Sequence, residues 1–275
     1  MNVMERHKFV VGLLVQQNRA TVAELARATG ASEMTIRRDL EVLESRGALR
    51  RVRGGAVSNL PGGVEPPYAV RAMSGSRAKE RLARTVVGLL TDGETVALDT
   101  GTTAVAVAKA MAGRRLTVAP LSLHAAFALS GHPGIQLVMP GGQVRAEELS
   151  FHGDTPVRTL QELCFDTFVL GCCGVDPVQG ATAYDLDDVQ VKRAAVAAAQ
   201  RVVLVATADK LGRTALGRIC PIEQVTLVVT DAPADSPVVD ALRDRGVDVL
   251  HPAPEEDGER PETESGRGRP GMMPG

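Results

Sequence analysis

Basic and hydroxyl side chains are concentrated around Ser32–Leu40 and in the arginine-rich run that follows it. Arginine can pair with guanine through two hydrogen bonds, and serine or threonine can bind either bases or phosphates. Ile36 and Leu40 lie four residues apart and must share the buried side of a helix, so the polar residues take its outer face. The predicted DNA-binding residues are Thr21, Ser32, Glu33, Thr35, Arg37, Arg38, Arg50, Arg51 and Arg53. A solvated charged face would explain the arginines if they occurred alone.

A second polar group follows the apolar run Thr95–Leu98, which predicts a strand. The loop Asp99–Thr103 contains one glycine and three threonines, and small residues typical of a helix come next. Such a loop offers free N–H groups, hydroxyls and the positive end of a helix dipole, which together suit a phosphate. A tight turn between a strand and a helix explains the same residues equally well.

Further strand-like runs end at glycines or charged residues. Ligands of open α/β sheets bind outside the carboxyl ends of the strands, so we expect these ends to form one crevice for a small regulatory ligand, the effector. The predicted effector-binding residues are Lys79, Asp99, Gly101, Thr102, Thr103, Ser122, Gly141, Gly142, Gly171, Asp176 and Lys210. The two lysines suit a phosphate, although each is also explained as a surface charge.

Capping signals divide the N-terminal region into helices. Thr21 and Glu24 form a capping-box pattern that opens a short second helix, and Gly30 is suited to end it. Ser32 is suited to cap a third helix, and the basic stretch after that helix fits a small β hairpin. Residues 1–57 are therefore predicted to form a winged helix-turn-helix that binds DNA.

The rest of the chain alternates short apolar runs with helical stretches, which predicts an α/β domain over residues 76–251 with a mostly parallel sheet. The predicted strands are Thr95–Asp99, Leu116–Ala119, Ile135–Met139, Thr167–Gly171, Val202–Ala206, Thr226–Thr230 and Val247–Leu250. Residues 58–75 are rich in glycine and proline and predict a linker. Residues 252–275 carry hardly any apolar group and predict a disordered tail.

The net charge of −2 is unevenly distributed. Residues 1–57 carry ten Lys and Arg against six Asp and Glu, a net of +4, whereas residues 252–275 carry three against six. The N-terminal excess suits a nucleic-acid-binding domain. No apolar run is long enough to span a bilayer and no signal-peptide cleavage pattern follows the first residues, so we expect a cytoplasmic protein without a membrane partner.

The cysteines and histidines suggest no cofactor. Cys164, Cys172, Cys173 and Cys220 lack C-x-x-C spacing and are expected to be small buried side chains, although the adjacent Cys172 and Cys173 leave redox activity open. The five histidines are scattered without the spacing of metal ligands, so no metal site is predicted.

Two stretches carry a family resemblance. The pattern from Arg6 to Leu40, with its Thr35-Ile36-Arg37-Arg38-Asp39 core, resembles the helix-turn-helix of DeoR-type regulators, and residues 47–56 resemble their wing. Residues 77–232 resemble the sensor domain of that family, which is similar to the ribose-5-phosphate isomerase fold. The resemblance implies repression of sugar-catabolic or related operons, released by a phosphorylated intermediate.

The same resemblance implies residue roles. Asp99 would bind sugar hydroxyls, and Thr102 and Thr103 would bind the phosphate. At two positions the chain departs from the family: it has Leu121 in place of the usual asparagine and Thr207 in place of a common aspartate. Both changes are expected to remove polar groups from the crevice, which points to a ligand with fewer hydroxyls or to a weaker response.

Three functions remain open from the sequence. The first is an effector-responsive repressor that binds double-stranded operator DNA. Such a protein should be a homo-oligomer, either a dimer or a tetramer, because a helix-turn-helix normally reads paired half-sites. The second is an isomerase-like enzyme, for which Asp99 or Asp176 would have to act as the base although no paired acid is evident. The third is a DNA-binding protein whose C-terminal domain only oligomerises.

Overall fold

The computed structural model describes residues 1–17, 19–45, 48–58 and 65–253. Within these ranges the N-terminal part has three helices and a three-stranded sheet in the order β1-β3-β2. Its elements are α1 (Val3–Gln17), β1 (Arg19–Thr21), α2 (Val22–Thr29), α3 (Glu33–Ser45), β2 (Leu49–Val52) and β3 (Gly55–Ser58). The predicted helix-turn-helix and wing are confirmed, whereas β1 was not predicted because three residues between two helices carry no periodic signal.

The predicted caps are formed. The backbone N–H of Glu24 donates to the Thr21 hydroxyl at 3.2 Å, and the Thr21 N–H donates to the Glu24 carboxylate at 2.7 Å. Gly30 ends α2 in the left-handed conformation with φ of 69°, and the Ser32 hydroxyl accepts from the Thr35 N–H at 3.1 Å. The buried stripe of α3 is Ile36, Leu40 and Leu43, as the spacing requires. These caps fix where α3 begins and therefore which residues face outward.

A buried polar cluster joins α1 to α3. Asp39 accepts from Arg6 Nε at 2.5 Å and Nη2 at 3.2 Å, and from His7 Nε2 at 2.9 Å. Burial alone would raise the pKa of Asp39, but the hydrogen bonds from Arg6 and His7 outweigh it and place that pKa below its ordinary value. Asp39 thus stays ionised and holds the first helix against the third.

The segment predicted as a linker contains a helix, α4 (Tyr68–Met73). Val70 and Met73 of α4 are buried in the same apolar cluster as Val10, Leu14 and the α3 stripe. The predicted linker thus includes a helix that was not predicted, because six residues flanked by prolines and glycines give too short a pattern to recognise. Residues 59–64, like residues 46 and 47 after α3, lie outside the described residues.

The larger part is an α/β domain, as predicted. Its helices are α5 (Ser76–Gly88), α6 (Gly101–Ala110), α7 (Leu123–Leu129), α8 (Asp154–Gln161), α9 (Leu186–Ala198) and α10 (Pro237–Asp244). Its main strands are β4 (Thr95–Leu98), β5 (Leu116–Pro120), β6 (Ile135–Leu137), β9 (Phe165–Gly171), β12 (Ala199–Ala206), β14 (Leu227–Thr230) and β15 (Asp248–Leu250). They pair in parallel throughout, in the order β15-β14-β12-β9-β4-β5-β6, and the seven predicted runs are confirmed as these strands.

Both faces of this sheet are covered. Val203 and Val205 of β12 pack into a cluster with α5, α6 and α7, whereas Val202 and Leu204 pack into a cluster with α8, α9 and α10. This is why the runs are continuously apolar instead of alternating. Along the chain, β4 to β6 extend the sheet in one direction and β9 to β15 in the other, so the order switches between β4 and β9.

Short antiparallel strands complete the domain. They are β7 (Gln143–Arg145), β8 (Ser150–His152), β10 (Gly174–Asp176), β11 (Gly180–Ala183) and β13 (Gly217–Cys220). None was predicted, because runs of three or four residues lack a readable period. The predicted tail at residues 252–275 lies outside the described residues except for its first two positions.

Candidate functional site

The outer face of α3 presents the predicted DNA-binding side chains. Ser32, Glu33, Arg37 and Arg38 are exposed there, and Thr35 is half-buried. Arg37 lies 3.4 Å from the Glu33 carboxylate, one turn away on the same helix. Within the described ranges no carboxylate lies within 4 Å of Arg38, so its guanidinium is available to a base or a phosphate.

The wing is attached to α3 by one of its own arginines. Arg51 donates to Glu41 of α3 at 3.0 Å, and its backbone N–H donates to Glu44 at 2.8 Å. Arg50 and Arg53 are exposed and extend the basic surface beside α3. Thr21, also in the predicted set, uses its hydroxyl in the cap of α2. The structure thus brings α3 and the wing together as one surface, with Arg51 partly committed to holding it.

A cavity of about 430 Å³ lies where the sheet order switches. The carboxyl ends of three adjacent central strands, β4, β9 and β12, open into it, together with the first turn of α6 and part of α9. This is the position at which open α/β sheets bind ligands. Six predicted residues line it: Lys79, Gly101, Thr102, Thr103, Gly171 and Lys210.

The other five predicted residues do not line this cavity in the described part of the chain. Ser122 is buried and caps α7 by accepting from the Ala125 N–H at 3.3 Å. Asp176 accepts from the N–H groups of residues 178 and 179 in a turn. Gly141 and Gly142 lie in a separate turn, where a Cβ on Gly142 would come within 2.5 Å of the Pro156 ring. A helix cap, a turn and a close packing contact therefore account for these residues without a ligand.

Asp99 lies just beneath the cavity and is fully buried. Its carboxylate accepts from the Gly171 N–H at 2.8 Å and from Lys192 Nζ at 2.8 Å. Burial raises the pKa of Asp99 to about 6, although the charge of Lys192 opposes this. Asp99 therefore positions the end of β9 and a lysine of the cavity through Oδ2, while its buried Oδ1 has no hydrogen-bond partner among the described residues.

Lys192 and Asp188 of α9 line the cavity and were missed by the sequence reasoning. Lys192 Nζ lies 3.2 Å from the Asp188 carboxylate, one turn earlier on the helix. Burial disfavours the charge of Lys192, but the Asp188 and Asp99 carboxylates outweigh it and hold its pKa well above the ordinary value. The spacing of four residues was visible in the sequence, but only the tertiary structure shows which face of α9 meets the cavity.

Arg71 of α4 was also missed, and it enters the cavity from the N-terminal side. Its guanidinium pairs with Glu65 at 3.3 Å and with Glu148, and its Nε donates to the Pro66 carbonyl at 2.8 Å. Because it sits in a segment rich in prolines and glycines, nothing in the sequence marked it as part of a site. The α4 helix therefore contributes to both halves of the protein.

The two predicted lysines face these same groups. Lys79 Nζ donates to the backbone carbonyls of Arg71 and Ser74, and Lys210 Nζ lies 4.0 Å from the Glu65 carboxylate. Burial and then the charge of Arg71 lower the pKa of Lys79 to about 8. Together with Arg71, Arg145 and Lys192, the two lysines make five cationic side chains among the described residues that line one cavity, which includes the N-terminus of α6, where an anion is favoured.

The two departures from the family pattern have different consequences. Leu121 is fully buried in the apolar core, so the expectation that this position faces the crevice is wrong for this chain. Thr207 does line the cavity, and its hydroxyl donates to the Asp209 carboxylate at 2.6 Å. Asp209 also lines the cavity, so a carboxylate is retained two residues further along.

The cysteines are free thiols. Cys173 and Cys220 are buried as expected, but Cys164 is exposed and Cys172 is half-buried against the cavity, so the prediction of burial is wrong for those two. Burial raises the thiol pKa of both Cys172 and Cys173 to about 12, which keeps them protonated and disfavours redox chemistry.

Within the described ranges no cluster of three potential metal ligands occurs. No helix there combines the length and apolar character needed to cross a membrane.

Comparison with known proteins bears on both surfaces. A family model described as the DeoR-like helix-turn-helix domain matches residues 6–61, and one described as the DeoR C terminal sensor domain matches residues 74–232. The chain belongs to the DeoR family of transcriptional regulators. The two matches divide the chain as the structure does, with α4 falling between them.

Several relatives are similar to this chain over almost their whole length. The putative aga operon transcriptional repressor of Escherichia coli O157:H7 is 32% identical over 252 residues, which cover 90% of this chain and 93% of that protein. The glycerol-3-phosphate regulon repressor of Escherichia coli K12 is 30% identical over 251 residues, covering 90% and 99%. The repressor GlcR of Bacillus subtilis is 30% identical over 246 residues, covering 90% and 95%. This chain is thus a DNA-binding transcriptional regulator. The three relatives are named repressors.

Solved structures with a similar fold include ribose 5-phosphate isomerase A from Neisseria gonorrhoeae. Its TM-score is 0.39 at 16% identity, over 52% of this chain and 56% of the isomerase. A likeness of this extent concerns the fold of part of the chain only.

Proposed function

We propose that this DeoR-family regulator represses a carbohydrate or related metabolic operon, and that a phosphorylated metabolite bound in the cavity releases it from operator DNA. The observation that carries the proposal is the cavity at the switch between β4 and β9, in which Thr102 and Thr103 at the start of α6 lie with Lys79 and Lys210. Helix N-termini and lysines both favour a phosphate. The name of the glycerol-3-phosphate regulon repressor points to the same class of ligand.

The remainder of the cavity suits the hydroxyl groups of a sugar phosphate. Asp188 and Asp209 line it and can accept hydrogen bonds from such hydroxyls. We infer no catalytic role, because Asp99 is fully buried and one of its carboxylate oxygens is held by both Lys192 and Gly171. A domain that only oligomerises would not need a cavity lined with charged groups, so the cavity also favours a ligand-binding role.

The DNA-binding half of the proposal assigns base contacts to the first two turns of α3. Arg38 is exposed there without an ion-pair partner in the described residues, whereas Arg50 and Arg53 are placed for phosphates on the wing. We propose at least a dimer acting in the cytoplasm, since one helix-turn-helix covers only one half-site.

The test uses the full chain and a fluorescently labelled DNA fragment from upstream of the genes beside its own. Arg38→Ala should weaken binding to this fragment by about 1–3 kcal/mol, and should weaken binding to random DNA much less. Arg243→Ala, which removes an exposed arginine of α10, is the matched control and should leave both affinities unchanged. An equal loss on both DNAs would make Arg38 a phosphate contact and contradict its role in reading bases.

The same complex tests the ligand class. Glycerol 3-phosphate, ribose 5-phosphate and inorganic phosphate are added to it, with glycerol and ribose as unphosphorylated controls. Release of the DNA and a rise in the melting temperature by phosphorylated compounds alone would support the proposal, because a ligand that binds only the folded state stabilises it. A response to none of them, or equally to the unphosphorylated controls, would overturn it.

A further inference from the structure

We propose that Arg71 binds the phosphate of the effector, and that this phosphate takes Arg71 from the carboxylates of Glu65 and Glu148. The inference rests on the proposed function, because it assumes that a phosphorylated ligand occupies the cavity. It adds a residue that lies between the sensor domain and the helix-turn-helix, and it identifies what the ligand must displace.

The geometry places Arg71 at the loop that begins α6. Gly101, the first residue of that helix, has φ of 88°, and a Cβ added to it would lie 3.2 Å from Arg71 Nη1. The guanidinium therefore lies beside the first residue of α6, and it lines the same cavity as Thr102 and Thr103 of that first turn. A phosphate seated on that N-terminus would be within reach of a guanidinium, which binds phosphates through two parallel hydrogen bonds.

The charges around Arg71 favour an exchange of partners. Arg71 is held by Glu65 and Glu148, and the side chains of all three are largely shielded, with exposures of 13%, 26% and 13%. A phosphate monoester carries between about −1.5 and −2 charges at neutral pH, so it can replace the two carboxylates as the counter-charge of Arg71. Repulsion between like charges in a shielded cavity favours this replacement over an arrangement in which the phosphate joins both carboxylates.

The opposite side of α4 connects this exchange to the DNA-binding domain. Val70 and Met73 are buried in the core that contains α1 and α3, while Tyr68 stacks on His124 of α7 with ring centroids 3.9 Å apart. Because α4 has only six residues and packs on both sides, a displacement of Arg71 must alter either the contacts of Val70 and Met73 or the stacking of Tyr68. The exchange is therefore a route by which the ligand changes the position of the helix-turn-helix.

Glu148→Gln is the informative variant, because it removes a competitor of the phosphate without removing a ligand. We expect it to tighten binding of inorganic phosphate and of glycerol 3-phosphate, measured by calorimetry on the full chain, by about threefold to tenfold. Glu147→Gln, an exposed neighbour, is the matched control and should leave the affinity unchanged. If Glu148→Gln weakens binding or has no effect, the exchange is refuted.

Arg71→Met should weaken binding of the same probes by about tenfold or more, because charge-assisted hydrogen bonds are lost. In that background Glu148→Gln should no longer tighten binding, which is the signature of a shared partner. Arg71→Lys keeps the charge if the methionine variant folds poorly, and should be intermediate. Arg77→Met, at an exposed position of α5, serves as the control.

The outcomes separate this inference from the proposed function. If the unaltered protein binds neither probe, the proposed function fails and the role of Arg71 fails with it. If the unaltered protein binds and releases DNA, but Arg71→Met binds equally well, then the effector site stands and Arg71 is only a structural ion pair.

Discussion

Replacing Asp39 by asparagine should destabilise the helix-turn-helix selectively. The Asp39 carboxylate is the shared acceptor of Arg6 and His7, and the side chains of all three are at most 11% exposed. Asparagine preserves the shape but leaves the Arg6 charge buried without its counter-ion. Removing one partner of a buried ion pair costs about 3–5 kcal/mol, because the remaining charge is not compensated.

That cost is large for a domain of this size. At about 0.05–0.15 kcal/mol per residue, residues 1–57 have a stability of about 3–9 kcal/mol. Asp39→Asn should therefore remove a third or more of it and give a separate early transition in urea. Circular dichroism of the full chain would detect that transition, and affinity for DNA should fall in parallel while the α/β domain keeps its midpoint.

Glu41→Gln is the matched control, on the same helix and with the same change of charge. Glu41 is 57% exposed and pairs with Arg51 on the wing, so its loss should cost less than about 1 kcal/mol. If Asp39→Asn costs no more than Glu41→Gln, then the buried cluster does not hold α1 against α3 and the reasoning fails. A combined Arg6→Met and Asp39→Leu variant should recover stability, because apolar residues can replace a buried ion pair.

Two further predictions concern Lys79 and the wing. A bound phosphate favours charged Lys79, whose pKa is about 8, so affinity for glycerol 3-phosphate should be constant near pH 7 and fall as the pH rises through that value. The second ionisation of a phosphate monoester, at about pH 6, lies below this window. A flat calorimetric profile, or one unchanged in Lys79→Met, would contradict the assignment. Gly55→Ala should destabilise the wing by about 1–3 kcal/mol in urea, since its Cβ would lie 2.2 Å from the Ala20 carbonyl oxygen. Gly12→Ala is the control, because Gly12 lies in a helix with open space around it, and this variant should be neutral or stabilising. Equal losses of stability in the two variants would contradict the steric explanation for Gly55.

The parts of the fold that the sequence predicted correctly are those with long or repeated signals. The strands of the parallel sheet were recognised because burial on both faces makes them continuously apolar, and α2 and α3 because their caps use specific residue types. The strand β1 and the antiparallel strands β7, β8, β10, β11 and β13 were missed, since their pairing depends on partners far along the chain. Length and locality of the signal therefore decide what can be predicted.

The site follows the same rule. The loop of Thr102 and Thr103 could be predicted because one strand and one helix define it locally. Lys192 and Arg71 could not, because each reaches the cavity from an element whose orientation is set by tertiary packing. Asp99 lies next to cavity residues but does not line the cavity itself, and one oxygen of its carboxylate binds Lys192 and Gly171, a detail that no spacing encodes.

The buried ion pairs differ in a way that suggests different uses. Asp39 is a single carboxylate holding two partners of its own domain, so it has no alternative arrangement and serves to fix one geometry. Arg71 is the reverse, a single cation shared by two carboxylates from different segments at the wall of a cavity. A shared cation can change partners without being left unpaired, so exchange there avoids the penalty of a lone buried charge. Within one chain, therefore, the same type of interaction can be permanent at α3 and exchangeable at α4, and the difference lies in which partner is shared.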